Sequence, residues 1–173
     1  GVGLNCIQGA ALSGGEPIIA VDVLDNKLEL GKQFGATHTV NASKGDPVEQ
    51  IREITDGRGV HYAFEAIGLI GETFRQAILC TRSRGVTVFV GHAPENTAVE
   101  FDARMLIAEK TVIGSMYGTA RPHVDFPRLV SLYKAGQLKL DELVTRTYPL
   151  EGINDAFEAL ARGEVARSVL DLT

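Results

Sequence analysis

Gly1-Val2-Gly3 runs directly into an apolar stretch with helical character, residues 4–12, and Asp22 closes the strand-like run Pro17-Ile18-Ile19-Ala20-Val21. This order of glycine turn, helix, strand and acid is typical of a dinucleotide-binding unit. The acid follows the turn by about 20 residues, the spacing at which a carboxylate reaches the ribose of the nucleotide. Because the strand that normally leads into such a turn is missing, we expect the chain to be part of a larger enzyme.

The glycine turn and Asp22 suit different parts of one ligand. A helix that follows a glycine turn presents free N–H groups and the positive end of its dipole to a pyrophosphate. A carboxylate after the second strand can accept both hydroxyls of the adenosine ribose and would repel the 2′-phosphate of NADP. No arginine directly follows Asp22, so the sequence favours NAD. Two alternatives remain open: Asp22 as a cap of the following turn, and Gly1-Val2-Gly3 as an ordinary turn.

Composition excludes several classes of partner. Of the 173 residues, 45% are hydrophobic and 23% are charged, and the formal net charge is −5. These values are typical of a folded soluble domain. Lysine and arginine are scattered, and no apolar run approaches the roughly 18–20 residues that span a bilayer. We therefore expect no nucleic-acid partner and no membrane partner.

The cysteines and histidines give no metal-binding pattern. Cys6 and Cys80 are too few for a disulfide framework, and each lies in an apolar helical segment. We expect two buried thiols and a reducing, cytoplasmic setting. None of the 4 histidines has a partner at metal-ligand spacing, so we expect no metal site in this chain.

Apolar runs rich in β-branched residues alternate with helical segments. This alternation predicts an α/β fold, a Rossmann-like doubly wound parallel sheet without its first strand. Asp46 and Pro47 are suited to the N-cap and first turn of the second of the helices that follow strands. The predicted strands are 17–23, 37–41, 62–67, 86–91 and 111–115, and the predicted helices between them are 25–34, 47–55, 72–81 and 103–108.

The pattern changes after Gly118. A polar, proline-rich connection over 121–127 precedes a helix over 128–135. Next come a short segment, 143–148, a helix over 153–162 that Glu151 or Asn154 would cap, and a final strand over 168–172. We place a domain boundary near Gly118, between a truncated nucleotide-binding domain, 1–118, and a C-terminal segment, 119–173.

The missing strand has a structural consequence. In the doubly wound order 3-2-1-4-5-6 the first strand is central, so strands 17–23 and 62–67 each lose a partner. Their exposed apolar edges would invite pairing with other chains. Three outcomes are open: the chain is an excerpt of a longer enzyme, it dimerises or swaps, or another strand fills the gap.

Several short motifs stand in order at familiar intervals. They include Ile19-Ala20-Val21-Asp22, Phe34-Gly35-Ala36-Thr37-His38, Phe64-Glu65-Ala66-Ile67-Gly68, Val88-Phe89-Val90-Gly91 and Ile153-Asn154-Asp155-Ala156-Phe157. Together they resemble the zinc-containing alcohol dehydrogenases of the medium-chain dehydrogenase/reductase superfamily, especially those related to glutathione-dependent formaldehyde dehydrogenases. The resemblance covers essentially the whole chain. It implies hydride transfer between an alcohol, or an aldehyde adduct, and NAD.

The resemblance also implies which residues bind the cofactor. Positions of the family's glycine turn and of its late basic residue would bind the pyrophosphate, and others would bind the adenosine ribose, the adenine and the nicotinamide. The pyrophosphate set is Gly1, Val2, Gly3 and Arg167; the ribose set is Asp22 and Lys27; the adenine walls are Val23 and Ile67; the nicotinamide set is Val90, His92, Ser115 and Tyr117; Gly68 and Gly91 lie in the same motifs.

Other implications concern the whole enzyme. In this family two cysteines and a histidine that precede the glycine turn hold the catalytic zinc, so we expect zinc only in the full-length parent. We expect no catalytic residue here and no activity of this chain alone. The resemblance implies a homo-oligomer, with the strand at 110–117 in its dimer interface, and a segment 119–173 that returns to the catalytic domain.

Two other functions are open. A zinc-free, NADPH-linked quinone or enoyl reductase of the same superfamily is one, and Asp22 argues against it. A nucleotide-sensing regulatory module is the other. The segment 119–173 argues against a sensor, because a sensor has no need of a return to a substrate domain.

Overall fold

The computed structural model describes residues 1–173, and all of its strands pair in parallel. This confirms the predicted α/β class. The helices are α1 (Val2–Leu12), α2 (Asp25–Gln33), α3 (Pro47–Ile54), α4 (Gly71–Cys80), α5 (Arg104–Ile107), α6 (Pro122–Lys134) and α7 (Ile153–Ala161). The strands are β1 (Ile19–Asp22), β2 (His38–Asn41), β3 (Val60–Glu65), β4 (Thr81–Phe89), β5 (Thr111–Gly114), β6 (Arg146–Pro149) and β7 (Ser168–Asp171).

The chain forms two compact units. The terminal unit comprises Gly1, Gly3–Ser43 and Arg121–Thr173, and the central unit comprises Val2 and Lys44–Ala120. The terminal unit therefore combines both ends of the sequence. The predicted boundary near Gly118 concerns functional domains and stays a prediction.

In the terminal unit, β1 and β2 pair in register from Ile19 opposite His38 to Asp22 opposite Asn41. Helices α1 and α2 cover this pair. Their shared core contains Ile18, Ala20, Leu28 and Ala36, with Ile7 packed against it. The apolar strand β1 is thus buried on the side that faces these helices, as a strand of a parallel sheet should be.

The C-terminal segment is part of the same hydrophobic core. Leu143 is 0% exposed and packs with Leu4 and Phe34. The side chain of Gln8 bonds Lys139 twice: its Nε2 donates to the Lys139 carbonyl at 3.1 Å, and its Oε1 accepts from the Lys139 N–H at 2.9 Å. These contacts hold the segment that contains β6 and β7 against α1.

In the central unit, the strands stand in the order β3-β4-β5. Helix α4 packs on this sheet through the fully buried Ile78 and through Phe74, whose ring meets that of Phe89 edge to face at 4.6 Å. Asp46 caps α3 as predicted, because its carboxylate accepts the Val48 N–H at 2.8 Å, one residue after Pro47. The pairs β1-β2 and β3-β4-β5 are those that the doubly wound order keeps when its first strand is left out.

The predicted unpaired strand edges are present, because β1 pairs only with β2 and β3 pairs only with β4. On β1, Val21 is exposed, and on β3, Tyr62 and Phe64 are 64% and 47% exposed. Strands β6 and β7 pair only with each other. The proposed outcome in which another strand of this chain fills the gap is therefore not observed.

Some predicted boundaries were wrong. Helix α6 begins at Pro122, so the predicted connection 121–127 forms its first turns. Proline suits the first helical turn, where its missing N–H has no partner to lose. The predicted caps of α7 are also wrong, since Gly152 occupies the N-cap without a side-chain bond. Strand β4 begins at Thr81, earlier than the predicted 86.

None of the helices combines the length and the apolar composition that would let it cross a bilayer.

Truncation of Leu143 tests whether the two ends of the chain share one core. We expect Leu143→Ala to lower the free energy of unfolding by about 2–5 kcal/mol, because it leaves a cavity against Leu4 and Phe34. Urea denaturation followed by circular dichroism measures the loss. As a control, Leu150→Ala removes a 54% exposed leucine and should change stability by about 0.5 kcal/mol or less. Equal effects of the two substitutions would contradict the shared core.

Candidate functional site

Asp22 lies at the carboxyl end of β1 and is half-buried. Its Oδ1 accepts the N–H of Leu24 at 3.0 Å, so the carboxylate does cap the following turn. No second bond to this side chain is formed within the protein, which leaves Oδ2 available to a ligand. Capping and ligand binding are therefore compatible roles for Asp22.

Lys27 and the turn before β7 are bound to each other. The Lys27 ammonium donates to the carbonyl of Val165 at 2.5 Å, and Asn26 Nδ2 donates to the carbonyl of Gly163 at 3.0 Å. Gly163 adopts φ +70°, and a Cβ there would overlap the side chain of Leu24. Hydrogen bonds and close packing thus join the start of α2 to the turn 163–167.

Arg167 is exposed, but its main chain is fixed. Thr145 Oγ1 accepts the N–H groups of Ala166 and Arg167 at 3.0 and 3.4 Å, and the Thr145 N–H donates to the Arg167 carbonyl at 3.0 Å. The guanidinium is therefore free to contact an anion from a defined position. Thr145 was not predicted as a site residue, and no sequence motif marks it.

Gly1 lies close enough to three other predicted site residues of the terminal unit, Asp22, Lys27 and Arg167, to interact with their charges. Burial lowers the pKa of the Gly1 amino group, the charges of Lys27 and Arg167 lower it further, and Asp22 raises it. Gly1 is the N-cap of α1, which has no side-chain cap and no acidic residue in its first turn. The start of this helix therefore keeps unsatisfied N–H groups among basic side chains, an arrangement suited to a pyrophosphate.

In the central unit, Glu65 holds together the loops that follow β3 and β4. Its side chain is 3% exposed, and Oε1 accepts the N–H groups of Ile67 and Gly68 at 3.0 and 2.9 Å and the hydroxyl of Thr73 at 2.8 Å. Its main-chain carbonyl accepts the N–H groups of Val90 and Gly91 at 2.8 and 2.9 Å. One residue thus joins the loop after β3 to the loop after β4.

These two loops meet backbone to backbone. Gly68 has φ +79°, and a Cβ at this position would overlap the main chain of His92. A Cβ at Gly91 would overlap both Glu65 Oε2 and the Gly68 backbone. The structure therefore brings together Ile67, Gly68, Gly91 and His92, all of which the family resemblance assigns to the cofactor.

Ser115 and Tyr117 follow β5. The Ser115 N–H donates to the Phe89 carbonyl at 2.9 Å, which places Ser115 beside the end of β4. Tyr117 is 92% exposed and adopts φ +48°. Its side chain makes no packing contact of consequence, so its main chain is the part suited to the predicted role.

Glu65 is the main site residue that the sequence analysis did not select. Glu65 belongs to one of the motifs that carry the family resemblance, but the resemblance implies no role for its side chain. An acid that ends an apolar strand, three residues before a glycine, was the available signal. The structure supplies the missing information, because the carboxylate bonds loop N–H groups and its Oε2 is buried without a partner.

No metal site is formed within the chain. The structure contains no group of three or more histidine, cysteine, aspartate or glutamate side chains that could hold a metal ion. The thiols of Cys6 and Cys80 are half-buried and buried, and neither forms a disulfide. Residues of this chain therefore do not fit a zinc ion, and we assign no chemical step to one.

The sequence is similar to those of known dehydrogenases. A family described as zinc-binding dehydrogenase matches residues 1–135. The chain is 38% identical to the NDMA-dependent alcohol dehydrogenase of Amycolatopsis methanolica, over 98% of this chain and 46% of that protein. It is 33% identical to a probable S-(hydroxymethyl)glutathione dehydrogenase of Schizosaccharomyces pombe, over 99% and 45%.

Solved structures show the same similarity. The crystal structure of benzyl alcohol dehydrogenase from Acinetobacter calcoaceticus superposes with a TM-score of 0.92 at 35% identity, covering 99% of this chain and 47% of that one. The chain thus spans about half the length of the relatives it matches.

Removal of the Glu65 carboxylate tests its organising role. We expect Glu65→Ala to lower the free energy of unfolding by about 2 kcal/mol or more, because the N–H groups of Ile67 and Gly68 lose their acceptor. Amide hydrogen exchange should also accelerate at Gly68. Glu95→Ala, which removes an exposed carboxylate of the same unit, is the matched control. Unchanged stability and unchanged exchange in Glu65→Ala would show that the carboxylate does not hold the loop.

Proposed function

Since the chain belongs to the zinc-binding dehydrogenase family, we propose that it is the cofactor-binding part of a zinc-dependent alcohol dehydrogenase that uses NAD. Family membership confirms the resemblance inferred from the sequence. The observation that carries the proposal is Asp22, a carboxylate at the end of β1 with one oxygen bonded to the following turn and one oxygen available. The proposed substrate of the whole protein is an alcohol or an aldehyde adduct.

Asp22 is proposed to accept the hydroxyls of the adenosine ribose through the oxygen that the turn does not use. A carboxylate at this point repels a 2′-phosphate, so it favours NAD over NADP. Lys27 is held beside this point by the Val165 carbonyl. The exposed apolar side chain of Val23, which follows Asp22 directly, is proposed to cover one face of the adenine.

The pyrophosphate is proposed to bind the start of α1 and Arg167. What supports this is the absence of an acidic residue in the first turn of α1 and the clamp of Thr145 on the main chain of Arg167. Free helix N–H groups and a planar guanidinium both suit phosphate oxygens. Gly1, Val2 and Gly3 would contribute main chain only.

Residues of the central unit are also proposed to contact the cofactor, on its adenine side and on its nicotinamide side. Ile67 and Gly68 would lie against the adenine side, and Val90, Gly91 and His92 against the nicotinamide ribose and carboxamide. Main-chain groups of Ser115 and Tyr117 would hold the carboxamide, which selects the ring face offered to the substrate. When bound, NAD supplies the ring that accepts hydride. Glu65 supports this role by fixing the two loops that carry these residues.

Other properties are proposed for the whole protein. Zinc, the substrate pocket and the proton relay are assigned to parts of the protein outside this chain, and homo-oligomerisation to the enzyme as a whole. No residue here is assigned to catalysis. The alternative of a zinc-free NADPH-linked reductase is disfavoured by Asp22, and that of a nucleotide sensor by the C-terminal segment, whose Leu143 completes the terminal core.

Replacing Asp22 with asparagine separates its two roles. Asparagine keeps an oxygen for the Leu24 N–H but removes the charge, so the turn survives. We expect NADH to bind more weakly by about 1–3 kcal/mol, roughly five- to 150-fold in Kd, and the preference for NADH over NADPH to shrink. Titration followed by NADH and NADPH fluorescence measures both affinities. Asp102→Asn is the control, since Asp102 also accepts an N–H two residues on, that of Arg104 at 2.9 Å.

Two results would count against the assignment. Tighter binding of NADPH than of NADH by the unaltered chain would overturn the choice of NAD. Equal NADH affinity in Asp22→Asn would show that Asp22 serves only as a cap.

Replacing Arg167 with glutamine should produce a different pattern. Because NADH and NADPH share the pyrophosphate, we expect both to lose affinity equally, by about 1–3 kcal/mol. The same fluorescence titration measures the effect. Arg128→Gln removes an exposed arginine of the same unit and should leave both affinities unchanged. A change in the NADH/NADPH ratio, or no change at all, would remove Arg167 from the pyrophosphate site.

A further inference from the structure

The central unit has a pocket at the amino ends of its strands. Apart from Val2, the predicted cofactor residues of this unit all follow the carboxyl ends of β3, β4 and β5. Residues 57–59 precede β3, residues 79–83 join α4 to β4, and Lys110 precedes β5. With Arg52 of α3, these segments line an open pocket of about 240 Å³ at the amino ends of the strands. The pocket therefore takes no part in the proposed cofactor site.

Every charged side chain that lines this pocket is cationic. The four are Arg52, Arg58, Arg82 and Lys110. Only Arg58 has a carboxylate partner, the exposed Asp56 at 3.2 Å. Lys110 Nζ donates to the Ile78 carbonyl at 2.9 Å, and Arg82 Nε is buried without any partner. Buried donors of this kind are normally satisfied, so the pocket is short of acceptors.

The surrounding charges support the same conclusion. Burial lowers the pKa of Lys110, and the positive charge of Arg52 lowers it further. Burial raises the pKa of the neighbouring Cys80 to about 11; Arg52 and Lys110 oppose this rise, and Asp46 adds to it. The carboxylate of Asp46 is already engaged by the Val48 N–H as the cap of α3. Arg52 and Lys110 are thus close enough to repel each other, and neither has a carboxylate partner.

The walls of the pocket are rigid. The buried Thr55 accepts the Gly59 N–H on its hydroxyl at 3.0 Å and the Arg58 Nε–H on its carbonyl at 3.3 Å. Gly59 adopts φ +80°, and a Cβ there would crowd the main chain of Cys80 and Arg82. The backbone that carries Arg58 and Gly59 is therefore fixed against the start of β4, which lowers the entropic cost of binding at this side of the pocket.

We propose that this pocket binds the phosphate group of a small anion, either inorganic phosphate or a small phosphate monoester. Guanidinium groups match phosphate oxygens in geometry, and a dianion would offset two of the three unpaired positive charges of Arg52, Arg82 and Lys110. The volume of this pocket is smaller than that of pockets for drug-sized ligands, which is about 300–1,000 Å³. It suits a phosphate group with few further atoms. This inference does not rest on the proposed function.

Titration of the 15N-labelled chain with inorganic phosphate, at constant ionic strength set by chloride, tests the proposal. We expect saturable amide shifts at residues 57–59 and 82–83. Arg82→Gln and Arg52→Gln should each raise the Kd about tenfold or more, because each removes a charge-assisted bond. Arg75→Gln, which removes an arginine of the same unit outside the pocket, should leave the Kd unchanged. If Arg82→Gln does not fold, the exposed Arg52 decides the question.

Titrations with two other anions identify the ligand. Glycerol phosphate that binds as tightly as inorganic phosphate, or tighter, would assign the site to phosphate monoesters; weaker binding would assign it to the free ion. Acetate should produce no saturable shift. Three results would each overturn the proposal. They are amide shifts that grow linearly with phosphate concentration without saturating, an unchanged Kd in Arg52→Gln, and acetate binding as tight as that of phosphate.

Discussion

Because β3, β4 and β5 run parallel, the loops that follow them meet at one edge and the segments that precede them meet at the other. This constraint determines the chemistry of the central unit. At the carboxyl edge, the Glu65 side chain and carbonyl join the loops that carry Gly68 and Gly91. At the amino edge, cations far apart in sequence share one pocket. Neither arrangement would exist in an antiparallel sheet with the same residues.

The alternation of apolar runs and helical segments was sufficient to predict the fold class and most strands, because burial on both faces leaves a strong local pattern. Asp22 was predicted as a site residue for a similar reason, since its spacing from the glycine turn is fixed by the strand and helix between them. The start of α6 was missed because Pro122 at its first position and Pro127 inside the helix make this stretch resemble a loop. Chain-end packing was missed too: nothing local in the sequence links Leu143 to Leu4.

Residues that act through three-dimensional contacts could not be predicted. Thr145 supports Arg167 from 22 residues away, through bonds that exist only when β6 pairs with β7. The pocket cations appear in the sequence as ordinary scattered basic residues, at positions 52, 58, 82 and 110. Their lack of carboxylate partners is visible only in the structure. Composition alone therefore described these residues correctly as dispersed and still gave no indication of their common location.

The contact between Gly68 and Gly91 limits how this part of the molecule can vary. A side chain at Gly68 would meet the main chain of His92, and one at Gly91 would meet the Gly68 backbone as well as Glu65. Since backbone atoms cannot be made smaller by a second substitution, neither position is open to a compensatory mutation elsewhere. A substitution at either position therefore requires the backbones of both loops to rearrange at once.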